Sequence, residues 1–145
     1  MSRKIGTSYE LRVVLIKNRM TENSIIYEKS KDFAVRVVNL WKYLCNKGEQ
    51  DISRQLKRSG TGIGANIIEG LYGASKKDFI NKLCIAQKEC NESLYWIDIL
   101  HKTDFITDAE YNSIHHDGEE IARMLAKIIK TSRKNVEVEN TTHNS

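Results

Sequence analysis

At 145 residues the chain is one domain's worth, long enough to bury a core without metal or disulfide staples. It is 40% hydrophobic, 29% charged and free of proline, a composition suited to long helices joined by short turns. No apolar run approaches the ~18 residues of a membrane span, and Arg3-Lys4 leads into no apolar stretch with a cleavage site, so neither a membrane anchor nor a signal peptide is expected. The formal charge of +4 is confined to residues 1–20, where Arg3, Lys4, Arg12, Lys17 and Arg19 outweigh Glu10. The remainder is neutral, so a nucleic-acid site must be a local patch. Cys45, Cys84 and Cys90 show no paired spacing and read as reduced thiols of a cytoplasmic protein.

Residues 1–20 have a short apolar run, Val13–Ile16, without a sustained period, and Met20 begins a stretch that reads like a natural start. They are expected to form a flexible or loosely attached extension to a folded body over 21–133. The first predicted helix covers 24–46, with Ile26, Ser30, Phe33, Val37, Leu40 and Leu44 on one stripe, a cap at Asn23 or Ser24, and Gly48 beyond its end. The second covers 49–72. Its rhythm of Ile52, Leu56, Gly60, Ile63, Ile67 and Gly70 persists through a glycine-rich run. Each interior glycine costs about 1 kcal/mol against alanine. A continuous helix, favoured here over a break at Gly60–Gly64, therefore needs compensation from close packing at Gly60, Gly64 and Ala65. Asn66 and Glu69 lie near that stripe and are expected to form a buried polar network with Arg58, fixing helix register.

Ser75 and Asp78 open a third helix over 75–101, with Phe79, Leu83, Ala86, Cys90, Leu94, Ile97 and His101 in phase. Thr107 and Glu110 form a capping box for a fourth over 107–132, and residues 134–145 read as a disordered tail. These elements predict an all-α fold, an antiparallel up-down-up-down four-helix bundle.

The run Ser59–Asn66 matches neither phosphate-loop pattern and follows a basic helix where those motifs need a strand, so helix packing explains its glycines better. His115 and His116 are adjacent and diverge by about 100° on a helix, and no Glu-x-x-His occurs; no metal and no cofactor are expected. Glu89, Glu92 and Asp98 form no forced acid–base pair. Arg54, Lys57 and Arg58 cluster at i, i+3 and i+4, followed by Lys76 and Lys77. They are candidate phosphate contacts, weighed against a solvated helix face. Tyr72, Tyr95 and Trp96 suggest core or oligomer contacts before base stacking.

From Gln55 to Gly70, QLKRSGTGIGANIIEG, and on through SKKDFINKLCIAQKECNESLYWIDIL, the chain closely resembles the 23S rRNA intervening-sequence protein family. The resemblance spans about residues 25–130, with Gly62 standing where the family often has serine. It implies a four-helix bundle assembled as a ring-shaped homopentamer, of a family often encoded within bacterial large-subunit ribosomal RNA genes. A distantly similar bundle serves as an accessory protein to a retroelement reverse transcriptase, binding nucleic acid and the polymerase. By that analogy the expected function is a non-catalytic scaffold associated with RNA or DNA, and the alternative is a protein–protein adaptor such as a polymerase accessory subunit.

Overall fold

Local signals fix where each helix starts and stops. In a computed structural model the chain forms α1 (Ser8–Asn46), α2 (Asp51–Leu71), α3 (Lys76–Lys102) and α4 (Asp108–His143). The structure describes residues 7–144, with the backbone alone at Asn18 and Arg19. After α1, Gly48 takes a left-handed φ of 86°, a conformation glycine adopts without steric cost. The buried Glu49 then caps α2, its carboxylate accepting the N–H groups of Ile52 at 2.7 Å and Ser53 at 2.9 Å. Ser75 caps α3 by accepting the Asp78 N–H at 3.1 Å. The reciprocal box between Thr107 and Glu110 opens α4, with bonds of 3.1 and 3.2 Å.

The interhelix contacts give the topology. Val37 and Ser30 of α1 meet Gly60 and Gly64 of α2, and Ser59 and Glu69 of α2 meet Ser93 and Lys82 of α3. Cys84 and Cys90 of α3 meet Arg133 and Gly118 of α4, whose Lys127, Glu120 and Asp117 meet Glu22, Lys29 and Arg36 of α1. In every pair the numbers rise on one helix as they fall on the other, so sequence neighbours are antiparallel and α1 closes on α4. The stripes meet at the centre, where Phe33, Leu44, Leu56, Ile63, Ile67, Leu83, Ile97, Leu100, Ile121 and Leu125 are buried. Each such side chain contributes about 1.5–3 kcal/mol on burial.

Helix α2 is continuous through its glycines. At Gly60 an added Cβ would lie 2.9 and 3.0 Å from the two methyls of buried Val37, so the helices meet where no larger residue fits. At Gly64 the nearest atom would be Ser30 Cβ at 3.5 Å, an ordinary contact. Ala65 is exposed and takes no part in the close approach. One buried polar contact does cross here: the Ser93 hydroxyl donates to Ser59 Oγ at 2.9 Å.

Both chain ends differ from expectation. Residues 8–20, expected as a flexible extension, continue α1 as helix from a capping box formed by Thr7 and Glu10, which replaces the cap expected at Asn23 or Ser24. The expectation for residues 1–6 lies outside the described residues. The tail expected to be disordered is helical to His143. It lacks an apolar stripe, but it also lacks any proline or glycine, and extending an existing helix requires no new nucleus. An ion pair from Glu139 to Lys76 ties it to the start of α3.

Two substitutions separate packing from propensity. Gly60→Ala should destabilise the fold by about 1–2 kcal/mol, the clash outweighing the gain in helix propensity. Gly64→Ala should stabilise it by up to ~1 kcal/mol. Urea unfolding followed by circular dichroism reads both. A pH effect is expected at Glu49. Burial disfavours its charge, but the N–H groups of Ile52 and Ser53, with further bonds from Ser53 and Asp51, prevail and hold its pKa below the usual 4.5. Its stabilising contribution is therefore complete above the unfolded pKa and is lost as pH falls through the lower folded value. Glu49→Gln should cost about 1 kcal/mol at pH 7, and the gap from wild type should close in acid.

Candidate nucleic-acid interface

The five basic residues singled out from the sequence do not form one surface. Arg54 and Arg58 are exposed near the start of α2, whereas Lys76 and Lys77 open α3 beyond the far end of α2. From Arg58 to Leu71 is about 20 Å of helix at ~1.5 Å per residue. Lys57 lies over the Trp41 ring, its ammonium 3.6 Å from the centroid. Arg58 donates to Glu92 Oε1 at 2.5 Å, and the Trp96 indole donates to the same oxygen at 3.3 Å. Lys76 is paired with Glu139, leaving Arg54 and Lys77 as exposed cations without an ion pair among the described residues.

The expected buried network of Asn66, Glu69 and Arg58 is likewise absent. Arg58 turns to Glu92, Asn66 donates to the Gly62 carbonyl of its own helix at 2.7 Å, and Glu69 pairs with Lys82 at 2.8 Å near the surface. At this level the helices are held by the Ser59–Ser93 hydrogen bond instead, whose hydroxyls satisfy each other across α2 and α3.

A clearer surface lies on α4. Its charges are segregated: Asp108, Glu110, Asp117, Glu119 and Glu120 occupy the first part without a lysine or arginine, and Arg123, Lys127, Lys130, Arg133 and Lys134 follow without an acid. This order complements the helix dipole. Four of the cations, Arg123, Lys127, Lys130 and Lys134, are spaced four, three and four residues apart. At ~100° per residue they fall within about 60° of arc, opposite the buried Ile121, Leu125 and Ile128, and span about 16 Å. The side chains of Arg123 and Lys127 are 66% and 74% exposed. Arg123 approaches Glu119 at 4.0 Å and Lys127 approaches Glu22 at 3.5 Å, while Lys130 and Lys134 are exposed and make no ion pair among the described residues. The sequence signal was available, a four-three-four spacing of cations, but attention to the apolar stripe of the same helix obscured it.

Other titratable groups serve the α3–α4 hairpin. His101 bonds Asp108 at 2.6 Å and stacks on Tyr111, and the Tyr111 hydroxyl donates to Asp98 at 2.8 Å, which raises its pKa. Cys90 donates to the Gly118 carbonyl, and burial pushes its pKa to about 12. Among the described residues no group of three or more histidine, cysteine or acidic side chains is placed to hold a metal. No helix is long and apolar enough to cross a membrane, again among the described residues.

The family model of the 23S rRNA-intervening sequence protein matches residues 22–127. The chain belongs to this family. A similar solved structure is that of a protein of unknown function from the S23 ribosomal protein family of Bacteroides thetaiotaomicron VPI-5482. It is 49% identical, with a TM-score of 0.74 over 75% of this chain and 98% of that one. No curated protein matches the chain. The family match takes in Arg123 and Lys127 but stops before Lys130 and Lys134, so the outer half of the basic stripe, like residues 8–21 of α1, lies beyond it.

Proposed function

We propose that this protein is a self-assembling helical scaffold that carries nucleic acid on the outer face of α4. The supporting observation is the alignment of Arg123, Lys127, Lys130 and Lys134 on one exposed face, with successive charges about 5–6 Å apart along the axis. Such a row suits a run of phosphates, whose contacts supply affinity without reading sequence. Arg54 and Lys77 are secondary contacts, because their neighbours Arg58, Lys57 and Lys76 are already engaged.

Assembly as a homopentamer is part of the same reading. Val35 and Tyr43 on α1 and Ile85 and Tyr95 on α3 are exposed, and these two helices lie diagonally across the bundle. Two different apolar faces on opposite sides suit a head-to-tail contact, the kind that closes a ring. In a ring the α4 face would be repeated, and weak phosphate contacts would add through avidity. An adaptor role is the second reading, supported by the exposed Tyr9, Leu11, Leu15, Ile16 and Met20 at the start of α1.

Fluorescence anisotropy with structured RNA and DNA at several salt concentrations tests the first reading. Binding should weaken with salt, and replacing all four α4 cations by alanine should lower affinity at least about tenfold and flatten the salt slope by roughly 3. Arg54→Ala should have a much smaller effect. No binding at low salt, or an unchanged affinity in the α4 variant, would overturn the assignment. Light scattering should report a multiple of the 16.7 kDa chain that Ile85→Asp with Tyr95→Asp reduces to the monomer. Co-purification from the host, with RNA and protein both sequenced, separates the scaffold from the adaptor.

A further inference from the structure

Beside the basic face of α4 lies a groove of about 290 Å³, formed where α1, the α2–α3 turn and α4 come together. Its walls are of two kinds. Leu71, Phe79 and Ile128 give an apolar floor with one aromatic ring, and Asn23, Asn135 and Lys76 bring amides and an ammonium to the rim. We infer that this groove receives an unstacked nucleobase of a single strand whose phosphates run along Lys127, Lys130 and Lys134. The inference rests on the α4 face being the nucleic-acid surface and adds that the protein selects single-stranded over duplex segments.

Three observations favour a base as occupant. The first is charge complementarity: Ile128, Thr131 and Asn135 line the groove on the same turns of α4 that carry Lys127, Lys130 and Lys134, so a strand held by the stripe passes its mouth. The second is that the carboxylates nearby are already neutralised, Glu22 by Lys127 at 3.5 Å and Glu139 by Lys76, and do not face the phosphates as bare charges. The third is the lining itself. A base needs an apolar surface for its faces and donors and acceptors for its edge; Phe79 with Ile128 supplies the former, Asn23 and Asn135 the latter. A duplex keeps its bases stacked and paired and could use the phosphate row alone.

The test compares four labelled oligonucleotides of equal length: single-stranded RNA, single-stranded DNA, duplex, and a single strand containing abasic sites. The wild-type chain should bind either single strand on the order of tenfold more tightly than the duplex or the abasic strand. Asn135→Trp, which fills the groove, should abolish that preference while duplex affinity is retained, so duplex binding doubles as the check that the variant is folded. A preference in RNA or DNA alone supports the groove equally. If the abasic strand binds as tightly as the intact one, or Asn135→Trp leaves the preference unchanged, the groove holds no base although the α4 face still binds. If wild type binds none of the four, the α4 assignment itself fails.

Discussion

The bundle depends on one place where two helices meet without a side chain between them. Gly60 of α2 lies against the methyls of Val37 of α1, and both residues are buried. One residue earlier, Ser59 bonds Ser93 of α3. Successive residues on α2 therefore hold its two neighbours, one by close approach and one by a hydrogen bond. A helix interior that accepts several glycines loses backbone stability, and interhelix contact offsets that loss. The direction of α2 fixes the α1 and α3 stripes toward each other, and α4 closes the remaining side.

This constraint explains why so much of the fold was legible. The spacing of Leu56, Gly60, Ile63 and Ile67 kept its helical phase through the glycines, and phase survives only if the helix does. Capping chemistry at Ser75 and Thr107 placed two helix starts, because a hydroxyl followed three residues later by an acid has few other uses. The chain ends were misread for a related reason. Residues 8–20 and 134–143 lack a clean apolar stripe, and pattern reasoning equates that with disorder. Their helicity comes from continuity with a packed helix, information that lies outside the segments themselves.

The candidate site was less legible, since side-chain partners are a tertiary matter. Arg54, Lys57 and Arg58 look equivalent along the sequence, yet Trp41 covers one, Glu92 takes another, and the third stays in solvent. Glu69 and Arg58 share a helix and were paired on that ground, but each turns to a different residue of α3. The α4 cations were readable from spacing alone. Their meaning depends on which arc of the helix faces out, and the buried Ile121, Leu125 and Ile128 settle that.

The burial of Cys90 has a practical consequence. A thiol whose pKa is near 12 holds almost no thiolate at neutral pH, and this one sits against the Gly118 carbonyl inside the bundle. Cys45 and Cys84 are only half-buried. The molecule thus contains its own clock for opening: an alkylating reagent marks the two outer thiols from the folded state, while the third waits for α3 and α4 to part. The rate at which the last sulfur is modified measures how often the bundle breathes, without any label being introduced.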